Sequence, residues 1–387
     1  MTNSKLQFAT LAVHAGGEPD AQTGAIAPPI HLSTTFEHPA DTELLDGFIY
    51  QRYGNPTQDR LETALAVLES KGSATPAKAL FFATGMAAVS SVLARLKPGQ
   101  RVILADDGYF AARKLMGIEA QRIGFALDLV DLTDADALQS AFSTPVDLVW
   151  AETPSNPLLK VTDIARLSSY CKKSDALLVV DATFATPALL KPLALGADVV
   201  MHSATKYMAG HSDCMGGALI MRKDSLYEEL AELRKLHGNT ASPFAAWLTL
   251  RGLRSLPARL AWQCRSAVQI AEFLSKHASV AKVHFPGLAS HPQHQVAALQ
   301  MCEFGAMLSF EVHANPVDGG RAKALTVAAK LKLFINATSL GSVESLVEHR
   351  QSAEGPSSTT PPSLLRLSIG LEAAQDLLAD LAQALAD

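Results

Sequence analysis

Several classes of protein are excluded by what these 387 residues do not contain. Only four are cysteine, at 171, 214, 264 and 302. They are far apart and form no C-x-x-C pair, which argues against a disulfide framework or a structural zinc site and leaves the thiols as core or surface filler. Aromatic residues make up 6% of the chain and charged residues 18%. The net charge of -5 comes with no basic stripe, so nucleic acid is not an expected partner. No uncharged apolar run reaches the roughly 18 residues that a membrane span needs. The first residues, "MTNSKLQFATLAVHAGG", lack the apolar stretch of a secretory signal, and a cytoplasmic location is expected. P-loop, G-x-G-x-x-G, H-E-x-x-H and G-x-S-x-G motifs are absent as well, and no metal site is expected.

What remains is a chain with 48% hydrophobic residues, long enough for a large domain and a smaller one. Residues 1–57 are rich in turns and prolines and read as an extended arm reaching a neighbouring subunit. From residue 58 to 243, helical patterns such as "TGMAAVSSVLARL" alternate with the short apolar runs "RVILAD", "VDLVWAE", "ALLVVDA", "ADVVMHS" and "GGALIM". That alternation predicts an α/β domain with a mostly parallel sheet covered on both faces. Residues 244–387 open with a helix-rich stretch and then predict strands at "AKVHF", "GAMLSFEV", "KLFINA" and "LLRLSIGL", giving a smaller α+β domain closed by an amphipathic helix.

In open α/β sheets ligands gather at the carboxyl ends of strands. There the sequence puts Asp181 after "ALLVV", Asn156 in "TPSNP", and Ser203, Thr205 and Lys206 in "HSATKYMAGHSDCMGG". Lys206 alone reads equally as the start of a helix capped by Ser203 or Thr205, and Asp181 with Lys206 reads also as a structural ion pair. Gly85 and Met86 open the segment "GMAAVSSVL", whose N-terminus suits an anion, although Gly85 fits an ordinary turn too. An amine, a carboxylate and a phosphate site together match what pyridoxal 5'-phosphate requires.

Six blocks then carry a resemblance along nearly the whole chain: "YQRYGNPT" (50–57), "TGMAA" (84–88), "ETPSNP" (152–157), the Lys206 block, "SLGSVESLVEH" (339–349) and "RLSIGLE" (366–372). Their order and spacing resemble the Cys/Met-metabolism family of pyridoxal-phosphate enzymes, which includes cystathionine γ-synthases, γ- and β-lyases and methionine γ-lyases. The resemblance implies an aspartate-aminotransferase-like fold of type I and a homotetramer of dimers that share active sites. It makes Lys206 the residue that bonds the cofactor covalently, Asp181 the partner of the pyridine nitrogen, and Gly85, Met86, Ser203 and Thr205 the phosphate ligands, joined by Tyr50 and Arg52 of a neighbouring subunit. Tyr109 would stack on the ring and act as acid or base, Asn156 would bond the phenolic oxygen, and Arg366, with Ser339, would grip the substrate carboxylate.

Departures from the family pattern bear on substrate. Thr338 stands where glutamate is common in γ-synthases and γ-lyases, Ala182 where asparagine is usual, Arg350 where proline is usual, and Ala111 where methionine γ-lyases have cysteine. On this reading the expected activity in amino-acid metabolism is γ-elimination from a γ-substituted amino acid, with β-lyase and γ-synthase as alternatives. A non-catalytic regulator is disfavoured, because Lys206, Asp181, Tyr109 and Arg366 are all retained.

Overall fold

The computed structural model describes residues 6–37, 40, 47–73 and 75–386. Twelve strands form two sheets. The first seven are β1 (Lys78–Phe82), β2 (Arg101–Ala105), β3 (Ala126–Val130), β4 (Leu148–Glu152), β5 (Leu177–Asp181), β6 (Val199–His202) and β7 (Gly217–Met221), in the order β1-β7-β6-β5-β4-β2-β3. β7 runs antiparallel to both of its neighbours and the other pairs are parallel, so the sheet is mixed but mostly parallel. Its central strands are apolar up to their last residues, Glu152, Asp181 and His202, because both faces are covered. Val180 and Val200 feed one buried cluster, whereas Val179, Val199 and Met201 feed a second cluster on the opposite face.

The second sheet contains β8 (Val280–His284), β9 (Met307–Val312), β10 (Ile335–Asn336), β11 (Leu346–His349) and β12 (Leu364–Ser368), in the order β10-β11-β12-β9-β8. Only β10 with β11 is parallel. Arg366 sits in the centre, opposite Glu348 on one side and Ser309 on the other.

A 34-residue helix, Pro243–Lys276, lies between the two sheets in sequence. Ser242 caps it, accepting the Phe244 amide at 3.2 Å, and Pro243 occupies the first turn, where its missing N–H is no loss. Gly252 lets this helix press on the chain leaving Lys206. A Cβ there would stand 2.3 Å from Ala209 O and 2.4 Å from Met208 O.

Three features differ from the sequence expectation. The N-terminal arm is not wholly extended, since Phe8–His14 is a helix packed on Pro243–Lys276 and on Pro56–Glu69. Parts of the arm, residues 1–5, 38–39 and 41–46, lie outside the described residues. Strands β1, β3 and β11 join the five and four expected strands, and the strand expected around "KLFINA" shortens to the two residues of β10. Among the described residues no helix is long and apolar enough to cross a membrane.

Candidate active site

A crevice of about 610 Å³ opens at the carboxyl ends of β4, β5 and β6 and is closed from above by the loop before β11 and by β12. Gly85, Met86, Tyr109, Asn156, Asp181, Ser203, Thr205, Lys206, Thr338, Ser339 and Arg366 all line it. Residues from seven separate stretches of sequence thus converge on one space.

The segment after β6 is not a capped helix. Consecutive turns tie Lys206 N to Ser203 O at 3.1 Å and Gly210 N to Lys206 O at 2.8 Å, while Thr205 Oγ1 accepts the Gly216 amide at 3.0 Å. Ala204 and Tyr207 point into the core on either side. Nor do Asp181 and Lys206 form an ion pair. Lys206 Nζ donates to Ser339 Oγ at 2.7 Å, and Asp181 Oδ1 accepts the amide and hydroxyl of Thr183 at 2.9 and 2.5 Å. Burial, helped by the positive charge of Arg366, lowers the Lys206 amine to about 8. A useful fraction of it is therefore neutral near physiological pH.

Two buried carboxylates face each other across β4 and β5, Glu152 opposite Asp181 in register. Burial raises both, and Glu152 further through its repulsion with Asp181. Thr183 stabilises the charged form of Asp181, so the proton belongs on Glu152 and the charge on Asp181. Glu152 Oε2 also accepts the Tyr109 amide at 2.7 Å, which fixes Tyr109 at the mouth of the crevice, 43% exposed.

Helix Gly85–Leu93 points its N-terminus into the crevice. Thr84 Oγ1 takes the Ala87 amide at 3.0 Å and Thr84 O takes the Ala88 amide, so the amides of Gly85 and Met86 are not used by the cap. Gly85 is required by proximity, because a Cβ would stand 3.0 Å from Ser203 Oγ and 3.2 Å from Met201 Cε. The Ser203 hydroxyl, two amides and a helix N-terminus form a cradle that fits a phosphate, while Thr205 Oγ1, also lining the crevice, donates to Gly216 O at 3.2 Å.

Arg366, 4% exposed, donates from Nη1 to Asn156 Oδ1 at 2.9 Å and from Nη2 to Ser339 O at 3.0 Å and Glu348 Oε2 at 2.7 Å. Its guanidinium is lowered to about 10 by burial and by Arg350, and stays charged at neutral pH. The Nε hydrogen and one Nη1 hydrogen are left for a bound anion.

Tyr50 and Arg52 do not join this crevice within one chain. They line a small separate recess with Thr34, Gln51, Gly238 and Thr240, where Arg52 Nη1 donates to Lys235 O at 3.1 Å. Sequence reasoning passed over Glu152, Thr183, Glu348 and Glu354, all of which line the crevice. Glu152 ends a strand just as Asp181 does, so the same strand-end rule reaches it. Elsewhere, a cavity of about 490 Å³ is lined by Asp131, Lys160, His284 and His291, where Lys160 pairs with Asp106 and Asp131 and His284 Nε2 lies 2.7 Å from Glu311 Oε1. Among the described residues no group of three or more His, Cys, Asp or Glu side chains is arranged to hold a metal ion.

Comparison with known proteins agrees with this geometry. The model of the "Cys/Met metabolism PLP-dependent enzyme" family matches residues 9–386. A cystathionine gamma-synthase of Mycobacterium tuberculosis is 44% identical over 383 residues, covering 97% of this chain and 96% of that protein. A cystathionine gamma-lyase of Dictyostelium discoideum is 42% identical over 387 residues, covering 98% and 97%. The crystal structure of a cystathionine gamma synthase from Xanthomonas oryzae pv. oryzae, in complex with aminoacrylate and cysteine, superposes with a TM-score of 0.91 at 43% identity, covering 98% of each chain. The chain belongs to the Cys/Met-metabolism family of pyridoxal-phosphate-dependent enzymes, and pyridoxal 5'-phosphate is its cofactor.

Proposed function

We propose that this enzyme works in transsulfuration and catalyses γ-replacement on a γ-substituted amino acid, as a cystathionine γ-synthase does. The Lys206 amine beside Asp181 and Arg366 in one crevice supports chemistry on an amino acid, and the observation that carries the choice of replacement is the 44% identity to cystathionine gamma-synthases along nearly the whole chain. γ-Elimination, expected first from the sequence, moves to second place. Four γ-synthases at 44% identity support replacement, and the Dictyostelium γ-lyase at 42% keeps elimination as the second reading.

When bound, pyridoxal phosphate supplies an electron sink that stabilises negative charge on the carbons of the substrate. The residues of this chain supply the rest. Lys206 would hold the cofactor through its amine and, when free, would take the proton from the substrate Cα, give it up to the cofactor, and then take one from Cβ, for which an amine near 8 is well matched. Asp181 would set its carboxylate against the ring nitrogen, with Glu152 the more readily protonated of the pair. Gly85, Met86, Ser203 and Thr205 would hold the phosphate. Tyr109, at the crevice mouth, would stack on the ring and serve the departing γ-substituent as acid or base. Asn156 anchors Arg366 and would bond the cofactor's phenolic oxygen, and Arg366 with Ser339 would bind the substrate α-carboxylate through the charge-assisted hydrogen bonds that suit arginine.

Tyr50 and Arg52 complete the phosphate site from a second copy of the chain. This reading is supported by their position outside the crevice of their own chain. It makes a dimer the smallest active unit, with a tetramer of two such dimers proposed. The test is a panel of β- and γ-substituted amino acids, each incubated with and without cysteine and scored for pyruvate, 2-oxobutyrate and cystathionine. Cystathionine formed faster than 2-oxobutyrate supports replacement, 2-oxobutyrate with no cystathionine supports elimination, and pyruvate as the main product overturns both.

A further inference from the structure

Next to Arg366 lies a chain of charges that the chemistry above does not use. Glu348 Oε2 accepts from Arg366 Nη2 at 2.7 Å and from Arg350 Nη1 at 2.6 Å. Arg350 Nη2 continues to Glu354 Oε1 at 2.8 Å, and Glu354 Oε2 accepts the hydroxyls of Ser358 and Thr360 at 2.6 and 2.8 Å. The four charged side chains alternate in sign, all line the crevice, and none is more than 7% exposed.

Arg350 is the first residue of the short helix Arg350–Glu354, a position that proline fills without loss of a backbone hydrogen bond. The fold itself therefore does not need arginine there. What the guanidinium does is electrostatic. Both arginines share one oxygen of Glu348, whose Oε1 has no partner. With Arg350 gone, Glu348 has Arg366 as its only counter-ion and is free to close on it through both oxygens. Asn156 and Ser339 already occupy two donors of Arg366, so a two-oxygen grip by Glu348 takes the donors that an incoming carboxylate needs.

We infer that Arg350 is a positioning residue for substrate recognition: it draws Glu348 away from Arg366 and so keeps the Arg366 guanidinium available to the substrate α-carboxylate. The inference rests on the reading of Arg366 as the carboxylate-binding residue. Glu354 acts in the opposite sense, as a second carboxylate competing for Arg350.

The test titrates the holoenzyme with L-alanine and with ethylamine, which differ by the carboxylate, and reads binding from the visible absorbance of the cofactor. The ratio of the two affinities isolates carboxylate recognition from any general damage. Arg350→Met is expected to lower the preference for L-alanine roughly tenfold, the size of one charge-assisted hydrogen bond, with ethylamine unchanged. Arg350→Lys restores part of it. Arg366→Leu is the control for the underlying reading and is expected to remove the preference altogether. If Arg366→Leu leaves the preference intact, the carboxylate role of Arg366 is wrong. If Arg366→Leu removes it but Arg350→Met does not change it, or weakens both ligands equally, only the role of Arg350 is overturned. Should Arg350→Met yield no folded holoenzyme, Glu354→Gln decides. Freed from its second carboxylate, Arg350 holds Glu348 more firmly, so the L-alanine preference should rise, and an unchanged or lower preference overturns the inference.

Discussion

Lys206 Nζ and Ser339 Oγ, 133 residues apart in sequence, are joined by a 2.7 Å hydrogen bond that ties the large sheet to the loop before β11. Ser339 also gives its carbonyl to Arg366, and it does both with a backbone φ of 86°, in the left-handed region that disfavours a side chain. Strain of roughly 1–3 kcal/mol of this kind persists where surrounding bonds hold it in place. Ser339→Gly should therefore leave the melting temperature of the cofactor-free protein unchanged or higher, because strain relief outweighs the roughly 0.5–1 kcal/mol entropic penalty of glycine. Turnover should fall roughly tenfold with the loss of one hydrogen bond to a charged or reacting group. A lower melting temperature with full turnover contradicts this.

The depressed Lys206 amine sets a pH dependence. Below about 8 the protonated amine, which cannot attack the cofactor, predominates, and above it the neutral form does. Loading of pyridoxal phosphate into cofactor-free protein, followed by stopped-flow absorbance, should accelerate as pH rises, reach half its maximum near 8 and level off by about pH 9. An ordinary lysine would go on accelerating to roughly pH 10.4. A rate still climbing above pH 9 or so contradicts the assigned burial effect.

Thr338 lines the crevice, and we propose that it meets the distal end of the substrate. The carboxylates that line the crevice are already engaged, Asp181 by Thr183, Glu152 by the Tyr109 amide, and Glu348 and Glu354 by arginines. Among the described residues of one chain, a distal ammonium finds no crevice carboxylate that lacks a partner. Cysteine should therefore gain little over 3-mercaptopropionate as the incoming thiol, and cystathionine should be a poor substrate for breakdown beside a γ-substituted amino acid with an uncharged tail. Thr338→Glu should raise kcat/KM for cysteine over the amine-free thiol by up to roughly tenfold, the range of one partly exposed charged contact. If wild type already favours the ammonium and Thr338→Glu does not add to it, residue 338 is not the specificity position.

Sharing of sites between chains is tested with hybrids. Arg52→Ala and Lys206→Ala are each expected to be nearly inactive alone. Mixed oligomers should regain activity in those sites that combine one intact Lys206 with one intact Arg52. Confirmed hybrids with no recovered activity would put Arg52 to work within its own chain.

Much of the large sheet and most of its strand-end residues were legible because buried parallel strands are short apolar runs and their last residues face the ligand. Asp181, Asn156 and Lys206 were found in this way. β3 was missed since it is an edge strand whose Asp128 pairs with Arg101, which blurs the apolar signal. β11 was hidden inside a block read for its resemblance. The pairing of Glu348 with Arg366 depends on strand register, and the link from Arg350 to Glu354 on a five-residue helix; neither is written in a linear pattern. Arg350 stood out only as an unusual residue without a stated partner. Tyr50 and Arg52 have no position in a single chain that reveals their use.

The central claim is that Lys206 carries the cofactor, and the chain contains its own internal control. Lys191 is also buried and also lowered to about 8, yet it donates to Leu68 O beside the ring of Phe8 and does not line the crevice. A depressed amine alone does not distinguish the two lysines; position at the crevice does. Borohydride reduction of the holoenzyme followed by peptide mapping should place the pyridoxyl label on Lys206 and leave Lys191 unmodified. A label on Lys191, or on any peptide that lacks residue 206, would contradict the account.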